Sequence, residues 1–163
     1  MRGFMSLDKP SPGRKAPSGC RVALLAARYN ERHVDALIAK AKTTLEAAGT
    51  AAPVIERVPG SAELPCAAAT LLQNAAWDAV IVLGVVIAGE TEHHRVIAHS
   101  TARALQDLAC RHATPVINGI LLVDNAAQAD ARCGGSINRG AEFAEAALEM
   151  AQFKKKWTTP ETT

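Results

Sequence analysis

The sequence predicts a single α/β domain in which a small parallel sheet of four strands is covered by helices on both faces. Three observations carry that expectation. Short β-branched runs alternate with longer stretches of helical periodicity over most of the 163 residues, the length of one ordinary domain. The run Ala79 to Val86 is apolar almost throughout, as expected of a strand buried on both faces of a parallel sheet. No internal repeat or low-complexity insertion interrupts the order βαβαβαβαα.

Arg21 to Ala27 opens the series as a strand. Glu31 to Ala48 then places Val34, Leu37, Ile38, Ala41 and Leu45 at helical spacing and stops at Gly49, completing one βα unit. Val54 to Val58 is a short strand punctuated by Pro59-Gly60. The helix that follows, from about Glu63 to Ala76, tolerates Pro65 because it falls in the first turn. After the Ala79 strand, Gly89 breaks the run and a long helix extends from about Thr91 to His112, with Val96, Ile97, Leu105 and Leu108 for its inner face. Pro115 to Val123 is the fourth strand. Asp124-Asn125 offers an N-cap to a helix over Ala126 to Cys133, Gly134-Gly135 ends it, and a helix from about Arg139 to Lys156 follows. Residues 1–19 read as a flexible N-terminal arm, with an organelle transit peptide as the alternative, 20–157 as the one domain and 158–163 as a polar tail.

Only six aromatics (Phe4, Tyr29, Trp77, Phe143, Phe153 and Trp157) accompany a 48% hydrophobic content, so the core is expected to consist of Ala, Val, Leu and Ile. A net charge of +2 argues against a protein that covers nucleic-acid phosphates and leaves room for small anionic ligands. Cys20, Cys66, Cys110 and Cys133 are widely spread with no Cys-x-x-Cys pair, which indicates buried free thiols in a reducing, cytoplasmic compartment rather than a zinc site or a disulfide framework. No apolar run reaches the ~18 residues of a membrane span, so no membrane partner is expected.

In open parallel sheets ligands bind beyond the carboxyl ends of the strands, which directs attention to the junctions. These are Arg28-Tyr29-Asn30, then Pro59 to Glu63, then Ile87 to His93, and finally Asn118 onward. Gly89-Glu90-Thr91 lies where a strand gives way to a helix, so its backbone N–H groups suit a phosphate; equally, Gly89 permits a turn and Thr91 caps the helix. His93 falls in the first helical turn, where the dipole favours a neutral imidazole able to act as a base. His93, His94 and His99 lack the i, i+4 spacing of helical metal ligands, so no metal site is expected, and His33, His94, His99 and His112 read as surface or core histidines. Asn30, Ser61 and Glu63 can hydrogen-bond a polyhydroxylated group, or Asn30 and Glu63 can serve the helices they begin. Arg132, on the helix after the last strand, reads as a surface cation.

Five segments stand in register from about Val22 to Met150: Arg28-Tyr29-Asn30; Val58 to Pro65; Leu83 to Ile87 with Gly89 to His93; Gln128-Ala129 with Arg132; and Asn138-Arg139-Gly140 leading to Ala147 to Met150. With these the chain closely resembles the 6,7-dimethyl-8-ribityllumazine synthase family of riboflavin biosynthesis. The resemblance implies a flavodoxin-like fold and condensation of 5-amino-6-(D-ribitylamino)uracil with 3,4-dihydroxy-2-butanone 4-phosphate, without metal or organic cofactor. By position, Tyr29 stacks on the pyrimidine, and Asn30, Ser61 and Glu63 hold the ribityl chain. Val86 and Ile87 contact the ring. Gly89, Glu90 and Thr91 present backbone to the phosphate, Arg132 pairs with it, and His93 shuttles protons. Arg139 stands where the family usually has a lysine beside the substrate.

The resemblance also implies a homopentamer, sometimes built into a decamer or an icosahedral shell, with sites shared between subunits and an arm strand near Lys15 to Cys20 joining the neighbour's sheet. The chain departs from the usual pattern at Ala62 and Asn118, where relatives carry aromatics, at Ala88, at His94-Arg95, and by one residue fewer between Arg132 and Arg139. These departures surround the pyrimidine pocket and the last interhelical turn. They motivate two other readings, a non-catalytic flavin- or lumazine-binding homologue and a shell-forming scaffold.

Overall fold

The computed structural model describes residues 13–89 and 92–158. Its elements are β1 (Val22–Ala27), α1 (Glu31–Ala47), β2 (Val54–Val58), a 3-10 turn (Ser61–Glu63), α2 (Leu64–Asn74), β3 (Ala79–Ile87), α3 (His93–His112), β4 (Val116–Val123), α4 (Ala126–Cys133) and α5 (Arg139–Thr158). All strand pairs are parallel and the order is β2-β1-β3-β4, that of a flavodoxin-like doubly wound sheet. Right-handed crossovers explain the layers: the chain steps from β1 to β2 in one direction, then returns past β1 to β3 and β4. Hence α1 covers one face with α4 and α5, while α2 and α3 cover the other.

The alternation of strand side chains divides the core in two. Leu24, Ala26, Ile81, Leu83 and Val85 pack in the layer of α1, α4 and α5. Ala23, Leu25, Val80 and Val82 pack with Leu64, Ala68, Leu105 and Leu108 on the opposite face. Close approach sets the helix α5: a Cβ on Gly140 would lie 2.5 Å from the Leu37 carbonyl oxygen and 2.8 Å from Lys40 Cβ. Further along the same helix Ala144, Ala147, Leu148 and Ala151 are fully buried. Gly119 in β4 does the corresponding service for Phe143, whose Cδ2 would be 2.9 Å from an added Cβ.

Several expectations need correction. The segment after β2 starts as a 3-10 turn at Ser61, and α2 stops at Asn74 rather than Ala76. The core is not purely aliphatic: Trp77 is 7% exposed, its indole Nε1 donates to the Leu71 carbonyl at 3.1 Å, and the Arg21 guanidinium lies 4.9 Å from its ring centre. Val96 is 62% exposed, because successive helical residues point about 100° apart and the inner face of α3 runs through Ile97, Thr101, Leu105 and Leu108. Only Cys20 and Cys133 are buried, whereas Cys66 and Cys110 lie on exposed positions of α2 and α3. Burial pushes the thiols of Cys20 and Cys133 up to about 11 from 9.0, with Asp78 and Asp130 respectively adding to the rise.

Residues 13–20 lie along α5. The Gly13 N–H donates to Glu145 Oε1 at 3.2 Å, the Arg14 guanidinium reaches Glu149 and Gln152, and the Lys155 ammonium donates to the Ser18 carbonyl at 3.0 Å. The first twelve residues of the arm and residues 159–163 of the tail lie outside the described residues.

Two outcomes test this packing. Gly140→Ala, which drives a methyl group into the backbone of α1, lowers the unfolding free energy by about 1–3 kcal/mol, read from the urea midpoint at unchanged slope. An aromatic disulfide reagent at pH 8 modifies Cys66 and Cys110 promptly, and Cys20 and Cys133 only after denaturation.

Candidate active site

The site grows from the point where β1 and β3 part company. Their pairing ends at Ala26 and Leu83, yet β3 continues to Ile87 beside β4 alone. The β1 side of that extension would be left without partners. Asn30 supplies one: its Nδ2 donates to the Val85 carbonyl at 2.7 Å. To do so it adopts the left-handed conformation, φ 57° and ψ 43°, which asparagine tolerates better than most side chains. Asn30 thus occupies the N-cap position of α1 without capping it through its side chain.

The segments leaving β1 and β2 are held together by backbone bonds from Arg28 to the Val58 carbonyl (2.9 Å) and from Tyr29 to the Pro59 carbonyl (3.3 Å). Tyr29 projects with 73% of its surface exposed, and its ring rests on Gly60, where an added Cβ would lie 3.0 Å from Cδ2. Gly60 has extended backbone, so space rather than conformational freedom requires glycine there. The Gly60 N–H donates to Glu63 Oε2 at 2.8 Å, which turns that carboxylate back onto the 3-10 turn. Ser61 is buried against β3, and a Cβ on Gly84 would come 2.6 Å from its hydroxyl. A glycine inside an apolar strand was the readable signal for this close approach.

Tyr29, Asn30, Ser61, Val85, Val86, Ile87 and Ile97 line one cleft of about 190 Å³. Sequence reasoning had not placed Val85 or Ile97 in the site; Ile97 arrives because α3 leans this half-buried residue, one turn before the buried Thr101, over the ends of β3. Ala62 is exposed in the same turn as Ser61 and Glu63. His93 begins α3 and is exposed, following Glu92, whose carboxylate pairs with Arg95 at 3.3 Å. Gly89 is exposed just beyond β3; Glu90 and Thr91 lie outside the described residues.

Ala62, Glu63, Gly89 and His93 border this cleft without lining it, and Asn118, Arg132 and Arg139 do not line it either. Asn118 is exposed in mid-β4 opposite Val82, five residues before the strand ends at Val123, roughly 16 Å away at strand rise, and its Oδ1 accepts from the Ile120 N–H. Arg132 is half-buried in the last turn of α4, with Nη1 donating to the Gln128 carbonyl at 3.3 Å. Arg139 begins α5 and pairs with Glu142 at 2.6 Å.

A larger apolar groove of about 360 Å³ lies between the ends of α3 and α5, lined by Ala109, Pro115, Met150, Phe153 and Trp157. Its one ammonium, on Lys154, is taken up by the Trp77 carbonyl and the Thr114 hydroxyl at 2.7 and 2.9 Å. It therefore offers few polar groups to orient a ligand, and chemistry favours the smaller cleft.

A cleft at the switch point of a doubly wound sheet, lined by an exposed ring, a hydroxyl and apolar strand ends, defines an α/β protein built to bind a small polar molecule. The 6,7-dimethyl-8-ribityllumazine synthase family profile matches residues 19–155. A 6,7-dimethyl-8-ribityllumazine synthase of Methylobacterium radiotolerans is 44% identical over 147 residues, covering 90% of this chain and 89% of its own. That of Xanthobacter autotrophicus is 46% identical over 144 residues (85% and 87%), and that of Stenotrophomonas maltophilia strain R551-3 is 42% identical over 142 residues (85% and 92%). The chain belongs to the 6,7-dimethyl-8-ribityllumazine synthase family.

The Asn30 tie is testable by stability alone. Asn30→Ala leaves the Val85 carbonyl without its donor and forces alanine into the left-handed region, lowering stability by about 2–3 kcal/mol. Asn30→Gly loses the bond but fits the backbone, and urea unfolding gives it the smaller deficit.

Proposed function

We propose that this chain condenses 5-amino-6-(D-ribitylamino)uracil with 3,4-dihydroxy-2-butanone 4-phosphate to 6,7-dimethyl-8-ribityllumazine, releasing phosphate and water. The carrying observation is that Tyr29, Asn30, Ser61, Val86 and Ile87 converge on one cleft at the switch point of a chain whose family match spans residues 19–155.

In this reading the pyrimidine stacks on Tyr29 against Val86 and Ile87, and the ribityl hydroxyls meet Ser61, Asn30 and Glu63, with Ala62 beside them. The substrate amine attacks the butanone carbonyl to give a Schiff base and one water; the C–O bond to phosphate then breaks by elimination, and attack of the neighbouring ring amine on the carbonyl so unmasked closes the ring and expels a second water. Every step moves protons and none needs a strong nucleophile, so orientation and one shuttle suffice. His93, at the start of α3, takes the shuttle role, and the backbone of Gly89, Glu90 and Thr91, which precede it in sequence, is assigned to the departing phosphate. Arg132 grips that phosphate and Arg139 lies beside the substrate.

The cleft of about 190 Å³ is smaller than the ~300 Å³ at which small-molecule sites usually begin, and Asn118, Arg132 and Arg139 do not line it. Both facts support a site completed by a neighbouring copy in a homopentamer, itself able to enter a decamer or shell. The outer edge of β2, with Val54 and Ile55 exposed, supports pairing with a strand from a neighbour's N-terminal arm. Residues 1–19 then form that arm, 20–157 the catalytic domain and 158–163 a tail, in a cytoplasmic enzyme. Among the described residues no helix is long and apolar enough to cross a membrane.

Mixing the protein with both substrates yields fluorescent lumazine well above the uncatalysed rate; tight riboflavin binding without acceleration overturns the assignment. His93→Ala lowers kcat about 10²-fold with modest change in KM, whereas Arg132→Ala chiefly raises KM for the butanone phosphate. The reverse pattern refutes those two roles.

A further inference from the structure

The short helix α4 carries Arg132 but has little to hold it. It spans eight residues, below the ~12–15 at which isolated helices become stable, and only Ala129 and Cys133 bury side chains. Its placement therefore depends on contacts with its neighbours. At its middle, Asp130 Oδ1 accepts two bonds from the first turn of α1: from Arg32 Nη2 at 2.5 Å and from His33 Nε2 at 2.9 Å. The His33 ring is no surface ornament, since the residue is only 9% exposed. The end of α4 closes against the same helix, with the Gly134 and Gly135 N–H groups both on the Asp130 carbonyl and a Gly134 Cβ position 3.6 Å from Ala36.

The first turn of α1 is in turn fixed to the cleft. The His33 and Val34 N–H groups donate to the Asn30 carbonyl at 3.0 and 3.1 Å, and the Asn30 side chain is anchored on Val85. An unbroken series of bonds thus runs from β3 through Asn30 and His33 to Asp130, two residues before Arg132. An exposed ion pair alone contributes little to stability, so the bridge between Arg32 and Asp130 has small weight as a stabilising device. Its geometric effect is larger: one carboxylate oxygen receives two donors from a single helical turn, which fixes how α4 rotates and where Arg132 stands.

We propose that Asp130, held by His33 and Arg32, is a positioning residue that sets Arg132 for the phosphate of the substrate. The proposal rests on the reading of Arg132 given above and extends it to three side chains that make no contact with substrate. Asp130→Asn keeps the size and removes the charge; the aspartate is half-exposed, so the variant folds. It raises KM for the butanone phosphate about 10-fold and weakens inhibition by inorganic phosphate to the same degree, while KM for the ribitylaminouracil and kcat change by less than about twofold. Asp130→Glu, which retains the charge, recovers part of the loss, and His33→Gln gives an intermediate one.

A double-mutant cycle separates positioning from general loosening. Asp130→Asn added to Arg132→Ala has no further effect on KM for the phosphate substrate if the carboxylate acts through that arginine. Full additivity, equal rises in both KM values, or an Asp130→Asn enzyme indistinguishable from the parent while Arg132→Ala is impaired overturns the proposal. A silent Arg132→Ala instead refutes the phosphate assignment, and the positioning role falls with it.

Discussion

The parting of β1 and β3 is the constraint on which the site depends. Because the chain turns one way after β1 and the other way after β3, no crossover covers the carboxyl ends of these two strands. A gap there is a consequence of handedness, present before any functional residue is chosen. It also leaves the far end of β3 half unpaired, and a buried carbonyl without a donor costs about 1–3 kcal/mol. The bond from Asn30 to Val85 meets this need with a side chain that the following helix could otherwise have used as a cap. Structure and site are therefore joined in one residue, since the same bond that completes β3 fixes the exit of Tyr29 and the start of α1.

Around that point the protein gains precision by omitting side chains. Gly60 admits the ring of Tyr29, Gly84 admits the hydroxyl of Ser61, Gly119 admits Phe143 and Gly140 admits the backbone of α1. None of these four has positive φ among the described backbone, so each is needed for close approach rather than for unusual conformation. The low aromatic content fits the same arrangement. Trp77 packs in the layer of α2 and α3, Phe143 packs beside β4, and Tyr29 is left to present the one ring of the cleft.

The layers and most of the elements were legible because periodicity reports burial, and a parallel sheet with two covered faces buries nearly everything in its inner strands. β2 and α4 agree with the sequence reading at both ends. Val96 misled because an apolar residue beside an inner position looks like part of it until the rotation of α3 is known. Asn30 misled differently: its cap position was readable, but its partner lies 55 residues away in β3, and local pattern carries no information on such a bond. The exposure of Cys66 and Cys110 was hidden for a related reason, since residue type gives the average burial of a thiol and only packing gives its own.

Charge divides the candidate residues into two groups. The cleft itself presents a phenol, an amide, a hydroxyl and apolar strand ends, groups suited to a neutral flat ring and a polyhydroxylated chain. The cations stand elsewhere, Arg132 on α4 and Arg139 on α5, each held by a contact within its own helix at Gln128 or Glu142. Two arginines left close to an empty apolar cleft would repel one another and would each require desolvation. Carrying them on separate helices, under local hydrogen bonds, lets each arginine be held by its own helix. The bridge from His33 to Asp130 matters because it registers the helix that carries Arg132 to the turn of α1 that follows Asn30 and borders the neutral cleft.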